Sequence, residues 1–223
     1  MPPRKTKTNI HHLNPLNENQ EKYLDALKER EQVIVTGYSG TGKTYIAAVF
    51  AAQMLLSNEV SKVILTRPSV SVGRDLGYFP GTLLEKITPW AQPVLDVLGQ
   101  VLGKTDLNTY IKDGTVEIAP LSTMRGRSFE NAFIILDEAQ NTTYDEIKMF
   151  LTRVGQGCKV VINGDIRQSD LRGGTSGLSI LTGIINKWDL DVPMIDFGVN
   201  DIVRSKVCKD WIVNFDRYER SNG

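Results

Sequence analysis

Short, wholly apolar runs alternate with longer amphipathic stretches along most of this sequence. The apolar runs occupy residues 33–35, 63–65, 133–136 and 160–162. A strand that is buried on both faces has this pattern, because none of its positions faces water. Weaker strand candidates lie at residues 115–119 and 192–197.

Between these runs, apolar residues recur at helical spacing. The predicted helices cover residues 17–30, 43–57, 82–102, 144–154, 177–187 and 203–218. Strands that alternate with helices indicate an α/β fold with a mostly parallel sheet flanked by helices. Pro89 and Pro93 are expected to bend or interrupt the third helix, because proline has no backbone N–H to donate.

The composition fits one globular domain. Of the 223 residues 41% are hydrophobic and 23% are charged, which supplies enough apolar material for one core. We expect a mobile basic arm over residues 1–16 and a domain over residues 17–223, with a helical embellishment at about residues 70–114. No apolar run approaches the ~20 residues of a membrane helix, so no membrane partner is expected.

Charge and cysteine content narrow the picture further. Lys and Arg together number 26, as do Asp and Glu, so the formal net charge is +0. This balance excludes a strongly basic coat for nucleic acid but not a local basic lining. Cys158 and Cys208 stand in apolar or mixed contexts, which favours a reduced, cytoplasmic protein.

Residues 37–44, with the sequence GYSGTGKT, match the phosphate-loop pattern G-x-x-x-x-G-K-[ST] between a strand and a helix. Glycines let successive N–H groups point inward at phosphate oxygens, and the following helix adds its positive end. We predict that Lys43 contacts the β- and γ-phosphates and that the Thr44 hydroxyl binds Mg²⁺. The predicted nucleotide-binding residues are Gly37, Tyr38, Ser39, Gly40, Thr41, Gly42, Lys43 and Thr44.

An acidic pair follows the apolar run at residues 133–136. In an open parallel sheet, the carboxyl ends of the strands face the ligand crevice. Asp137 is therefore predicted to hold Mg²⁺ and Glu138 to polarise an attacking water, which suits hydrolysis better than phosphoryl transfer. A helix cap is the alternative for this pair.

Residues 160–168 repeat the pattern of an apolar strand followed by polar residues at its carboxyl end. The amide of Gln168 there could bond both a γ-phosphate and a water, or belong to a plain polar loop.

Taken together, these motifs resemble the PhoH family, which is similar to the ATPase core of superfamily 1 helicases. The segments that carry the resemblance are GYSGTGKT, DEAQN, GDIRQ, TRP with LGYFPG, RGR and DIVR, and they span residues 19–204 in order. Two positions depart from the family pattern, Ser205 where histidine is expected and Arg172 where proline is expected. The compact chain would suit a phage-encoded member.

The resemblance implies a single RecA-like P-loop NTPase domain that uses ATP and Mg²⁺ and assembles into a ring, with a hexamer expected. It implies that Gln20 corresponds to a Q-motif glutamine, whose amide could hydrogen-bond the edge of adenine with one donor and one acceptor. It also implies that Arg204 resembles an arginine finger, for which we expect a position at the sheet edge that reaches a neighbouring subunit's phosphates. The implied catalytic residues are Lys43, Glu138, Gln168 and Arg204.

Arginines in loops are the candidates for nucleic-acid contact. Arg67, Arg125 and Arg127 lie at or after predicted strand ends, where they could meet a phosphate backbone. Trp90 and Tyr78 could stack on bases. Arginines that are solvated or salt-bridged and aromatic rings that are packed in the core are the alternative for these residues. It is chiefly the resemblance that implies an ATPase that remodels single-stranded RNA or DNA. Two alternatives stay open: an ATP-dependent switch that acts on a protein partner, and a phosphotransferase.

Overall fold

A computed structural model describes residues 13–68, 83–169, 171 and 174–222. All six predicted strands are confirmed, with slightly different ends. They are β1 (Gln32–Gly37), β2 (Lys62–Arg67), β3 (Val116–Pro120), β4 (Ala132–Leu136), β5 (Lys159–Gly164) and β6 (Met194–Phe197).

The six strands form one sheet in the order β3-β2-β4-β5-β1-β6, and every pairing in it is parallel. This confirms the predicted RecA-like arrangement of a parallel sheet flanked by helices. The strand that precedes the phosphate loop, β1, and the strand that precedes the acidic pair, β4, are separated by β5. All three therefore end side by side at the centre of the sheet, where crossover loops leave room for a ligand.

Seven α-helices lie in the described part of the chain. They are α1 (Glu18–Glu29), α2 (Lys43–Leu56), α3 (Leu83–Leu102), α4 (Lys104–Asp113), α5 (Tyr144–Leu151), α6 (Gly177–Trp188) and α7 (Lys206–Asn222). Helix α4 lies within the helical embellishment predicted at about residues 70–114, although it was not predicted as a separate helix. None of the described helices is long and apolar enough to cross a membrane.

The two prolines of the third predicted helix do not interrupt it, and the bend named as the other outcome stays a prediction. Helix α3 runs through both Pro89 and Pro93. The two prolines are four residues apart and both are exposed, so they share the solvent side of the helix. Water can there hydrogen-bond the carbonyl groups that the missing N–H groups leave free.

The sheet carries one apolar cluster on each face. Helices α1 to α4 pack on one face and include Tyr23 and Leu98, whereas α5 and α6 pack on the other face, beside Phe150 and Leu178. Alternate residues of each central strand enter opposite clusters, which is why the middle of each of these strands is wholly apolar. The core thus holds the strand ends in fixed relative positions.

Part of the predicted arm belongs to the folded body. Leu13 packs against the core that includes α1 and α2, and the backbone N–H of Leu16 donates to the side-chain oxygen of Gln20 at 2.8 Å. Residues 1–12 lie outside the described residues, and so do Tyr78, the LGYFPG segment and Arg172.

Candidate nucleotide-binding site

The phosphate loop curls between the end of β1 and the start of α2. Gly37, Gly40 and Gly42 all have positive φ, at 116°, 74° and 92°, a region that side chains other than glycine rarely adopt. Helix α2 begins at Lys43, so its first N–H groups and its positive end face the loop. This is the backbone cradle that the sequence pattern predicts.

Lys43 turns its ammonium group back into the loop. Its Nζ donates to the carbonyl of Gly37 at 2.7 Å and to that of Tyr38 at 2.6 Å. Burial lowers the pKa of Lys43 below its usual value, although Asp165, Asp137 and Glu138 favour the charged form. An anion in the loop would compensate this buried charge.

Asp137 is half-buried just after the end of β4, opposite the start of α2. The hydroxyl of Thr44 lies 3.5 Å from its Oδ1 atom. Burial, reinforced by the nearby charge of Glu138, raises the pKa of Asp137 to about 6. A half-buried carboxylate beside a hydroxyl has the oxygen ligands that Mg²⁺ prefers, with the remaining ligands supplied by phosphates and water.

Glu138 is held by two side-chain donors. Arg67 Nη2 lies 2.9 Å from Oε1 of Glu138, and Nε2 of Gln140 donates to Oε2 at 2.5 Å. The backbone of Glu138 is left-handed, with φ of 55°, a conformation that non-glycine residues adopt mainly where the surroundings impose it. The carboxylate is therefore placed by contacts from β2 and from the segment after β4.

Gln140 joins the ends of β4 and β5. Its Oε1 accepts a hydrogen bond from the backbone N–H of Asp165 at 3.1 Å, and the residue is 3% exposed. A Cβ atom on Gly164 would lie 2.8 Å from this oxygen, so the contact needs a glycine there. No role for Gln140 was predicted from the sequence, where its signals were its position two residues after Glu138 and its place in the segment DEAQN.

Gln168 lines the same cavity as the phosphate loop, Asp137 and Glu138, which has a volume of about 460 Å³. It follows a turn in which its N–H donates to the carbonyl of Asp165 at 2.9 Å. Arg167 pairs with Asp165 at 2.8 Å and lies 3.5 Å from the ring of Tyr38. This loop therefore rests on the phosphate loop and presents Gln168 to the cavity.

A second cavity of about 510 Å³ adjoins the phosphate loop and has a mostly apolar lining that includes Leu16, Tyr45 and Ile46. Gln20 lies in its wall, where its Nε2 donates to the carbonyl of Thr41 at 2.9 Å. A glutamine amide has two donors and two acceptor positions. One of each is engaged, by Thr41 and by the N–H of Leu16, so one of each is left for the edge of a base.

Arg204 lies against the phosphate loop of its own chain. The preceding residue, Val203, donates its N–H to the carbonyl of Gly40 at 3.0 Å, and Arg204 lines both cavities. The strand before Arg204, β6, lies at the edge of the sheet. The Val203–Gly40 bond holds the backbone of Arg204 beside its own loop, and the expectation that Arg204 reaches a neighbour's phosphates stays a prediction.

The three candidate nucleic-acid residues differ in their surroundings. Arg67 faces the phosphate cavity, and Arg125 is exposed in the segment after β3. Arg127 makes two hydrogen bonds to Glu117, one of them at 2.8 Å, and lies over the ring of Phe129. These bonds lower the pKa of Glu117 and engage the guanidinium that the sequence left free for phosphate.

Trp90 lies in the wall of the phosphate cavity, and its stacking on bases stays a prediction. It lines the phosphate cavity from α3, with its ring 6.0 Å from the guanidinium of Arg67, and its buried indole N–H has no hydrogen-bond partner. Pro93, Val94 and Val97 extend this wall along the helix. The embellishment therefore closes one side of the candidate site.

The residues present fit a nucleoside triphosphate with a divalent cation. The loop offers inward N–H groups, and the ammonium of Lys43 lies among backbone carbonyl groups that a phosphate could replace as its partners. Asp137 is a half-buried carboxylate whose charge a cation would stabilise. The adjoining apolar cavity has room for a base, with Gln20 in its wall.

Comparison with known proteins finds similarity to PhoH-like proteins over most of the chain. The sequence model described as "PhoH-like protein" matches residues 12–216. A PhoH-like protein of Mycobacterium tuberculosis is 42% identical over 208 residues, which cover 93% of this chain and 59% of that protein. Protein PhoH of Escherichia coli K12 is 45% identical over 198 residues, which cover 86% of this chain and 55% of that protein.

This chain therefore spans a little over half the length of these two relatives. Among solved structures, the UvsW helicase of bacteriophage T4 is similar with a TM-score of 0.49 and 16% identity. That similarity covers 84% of this chain and 61% of the helicase chain.

Proposed function

The chain belongs to the PhoH-like protein family, and we propose that it binds ATP with Mg²⁺ and hydrolyses it. The observation that carries the proposal is the convergence on one cavity of the phosphate loop, Asp137, Glu138 and Gln168. These residues come from three adjacent strand ends, and they supply phosphate donors, a cation ligand, a general base and an amide. A plain structural loop would need none of this chemistry.

Each residue has a separate role in the proposed reaction. The loop N–H groups and Lys43 bind the phosphates, while Thr44 and Asp137 hold Mg²⁺, which neutralises phosphate charge when bound. Glu138 accepts a proton from the attacking water, and Gln168 orients that water against the γ-phosphate. Arg204 stabilises the charge that develops on the γ-phosphate oxygens.

The adenine base is proposed to enter the apolar cavity beside the loop. Leu16, Tyr45 and Ile46 can contact its faces, and the free donor and acceptor of Gln20 match the alternating donor and acceptor of the adenine edge. Guanine presents the opposite polarity at the corresponding edge. We therefore expect ATP to be preferred to GTP.

Hydrolysis is proposed to drive remodelling of single-stranded RNA or DNA. Arg67 is the last residue of β2, and Arg125 lies in the segment after the neighbouring strand β3. A single-stranded nucleic acid on this side of the sheet could cross the mouth of the phosphate cavity. Backbone contacts of this kind carry little sequence preference. The competing function, a switch that acts on a protein partner, predicts no response to nucleic acid.

Assembly into a ring of identical subunits, with six expected, rests on the family resemblance. Helix α7 supports a contact between subunits, because one of its sides exposes large apolar residues. These are Val207, Trp211, Phe215 and Tyr218. A contiguous exposed apolar surface of this kind is typical of an interaction site.

One assay tests the proposal. ATP turnover is measured with and without Mg²⁺, and with and without single-stranded RNA and DNA. Lys43→Ala should lose both nucleotide binding and turnover, whereas Glu138→Gln should bind ATP but hydrolyse it at least ~100-fold more slowly. Undiminished phosphate release by Glu138→Gln would remove Glu138 from catalysis, and an Mg²⁺-dependent turnover that ignores nucleic acid would favour the protein switch.

A further inference from the structure

Both oxygens of the Glu138 carboxylate are engaged by the protein. Oε1 contacts the guanidinium of Arg67 at 2.9 Å, and Oε2 accepts from the amide of Gln140 at 2.5 Å. A general base has to present an oxygen to the proton of the attacking water. Glu138 is therefore restrained from two sides before any reaction begins.

The two restraints differ in how easily a ligand could remove them. Gln140 is 3% exposed and anchored to Asp165, so its amide is part of the buried framework. The side chain of Arg67 keeps 20% exposure and faces the cavity, and its buried Nε has no hydrogen-bond partner. Arg67 is thus the contact for which an incoming anion can compete.

The position of Arg67 makes such competition reasonable. It is the last residue of β2, and the carbonyl of the preceding Thr66 accepts from the N–H of Asp137 at 2.9 Å. The backbone of Arg67 is therefore tied to the acidic segment, while its long side chain can swing. The neighbouring strand β3 leads to the exposed Arg125, so a polyanion on this side would meet both arginines.

We propose that the ion pair of Arg67 and Glu138, called the latch below, restrains Glu138 until a backbone phosphate of a bound single-stranded nucleic acid binds Arg67 in its place. The latch rests on the proposed function, because it assigns Glu138 as the base. A phosphodiester accepts the guanidinium fork through two oxygens. Once Arg67 has turned to the strand, Oε1 of Glu138 is released towards the attacking water. Arg67 is in this sense a positioning residue, which makes hydrolysis depend on the strand.

Linkage gives the latch a second consequence. If binding of a nucleic-acid strand favours the released form of Glu138, then a change that weakens the Arg67–Glu138 pair must raise the affinity for the nucleic acid by the same factor. Glu138→Gln removes the negative charge that holds Arg67. This variant should therefore bind single strands more tightly than the wild-type protein, even though it hydrolyses ATP poorly.

The kinetic test uses Arg67→Met, which keeps an unbranched side chain against Trp90 and removes the charge. Turnover at saturating ATP and Mg²⁺ is measured without a strand, with oligo(rU) and with oligo(dT). Without nucleic acid, the variant should hydrolyse ATP about fivefold faster than wild type. A partly exposed ion pair is strong enough to lower the fraction of molecules with a released Glu138 by about this factor. Neither oligonucleotide should stimulate it further, and the one that stimulates wild type identifies RNA or DNA as the source of the phosphate.

Arg30→Met is the matched control, because Arg30 pairs with Asp191 at 2.9 Å at the opposite end of the sheet. It should behave as wild type. The latch is overturned if Arg67→Met is slower than wild type while it binds ATP normally, since Arg67 would then act on the nucleotide. It is also overturned if the two rates are equal, or if neither oligonucleotide stimulates the wild-type protein.

The binding test needs no turnover and no folded Arg67→Met protein. Glu138→Gln should bind the oligonucleotide more tightly than wild type but with the same salt slope, because Arg67 contacts the phosphate in both bound proteins. Equal or weaker binding contradicts the latch. Failure of the proposed catalysis looks different, because Glu138→Gln would then hydrolyse ATP as fast as wild type.

Discussion

The N–H of Val203 donates to the carbonyl of Gly40 at 3.0 Å, so the segment that carries Arg204 is fixed to the phosphate loop of the same chain. Gly40 also leaves the space that Arg204 occupies, since a Cβ atom at Gly40 would lie 2.7 Å from its Cγ. The candidate finger thus lies beside the candidate phosphate site of its own subunit.

This relationship predicts how two inactive variants behave together. Lys43→Ala lacks the phosphate-binding ammonium, and Arg204→Ala should lose about 10³-fold in turnover, the lower end for an arginine on a transferring phosphate. If Arg204 serves its own subunit, a mixture of the two proteins stays inactive although fluorescence transfer shows that subunits exchange. Recovered ATP turnover in the mixture would show that Arg204 acts on a neighbour.

Asp137 should make stability without nucleotide depend on pH. Its pKa is raised to about 6 by burial, whereas an aspartate in the unfolded chain titrates near ~3.9. The folded state therefore holds the proton more tightly, and stability is lost as the pH rises from about 4 to about 6. Removing the ionisable group removes this loss, which amounts to at most about 3 kcal/mol.

Thermal unfolding of wild type and Asp137→Asn at pH 5 and pH 8, without nucleotide or Mg²⁺, measures this effect. The variant should gain about twice as much over wild type at pH 8 as at pH 5, because the wild-type carboxylate is fully ionised only at the higher pH, and it should lose ATP turnover. The same difference between the two proteins at both pH values would contradict a titrating Asp137 with a raised pKa.

Gly164 should be needed for the Gln140 bridge. Gly164→Ala brings a Cβ atom to 2.8 Å from Oε1 of Gln140 and to 2.6 Å from Leu178. Overpacking of this kind costs about 1–3 kcal/mol, and displacement of Gln140 should also slow turnover. Gly183→Ala is the control, because no atom would lie within 4 Å of its Cβ and alanine favours the interior of α6 by about 1 kcal/mol. Denaturant unfolding and an ATPase assay check both variants. If Gly164→Ala has the stability and the ATP turnover of wild type, the contact of Gln140 with Asp165 is not needed for either.

Arg125 and Arg127 should respond differently in single-strand binding. Arg125→Ala should lower the affinity and flatten the salt slope by about 0.7, one phosphate contact. Arg127→Ala should leave the slope unchanged and lower stability instead, because Arg127 is engaged by Glu117 and packs over Phe129. Binding titrations across a salt series, with thermal unfolding of both variants, separate the two roles. A slope change only in Arg127→Ala would reverse the assignment.

The sequence by itself determined the local parts of this protein. The glycines and Lys43 of residues 37–44 specify the phosphate loop wherever a strand precedes it and a helix follows, because the conformation depends on neighbouring residues alone. The four apolar runs likewise predicted β1, β2, β4 and β5, since the centre of a strand buried on both faces has no polar position, and weaker patterns predicted the edge strands β3 and β6. The catalytic roles of Glu138 and Gln168 stay predictions from this stage.

Tertiary structure alone decided which of these parts touch. Only the strand order, with β5 between β1 and β4, brings Gln140 to Asp165 and presents Gln168 to the loop. The pair of Arg67 and Glu138 joins residues 71 positions apart on neighbouring strands, and the return of the chain after β6 places Arg204 on its own loop. Contacts between distant residues depend on how the whole core packs, and no local pattern in the sequence records that packing.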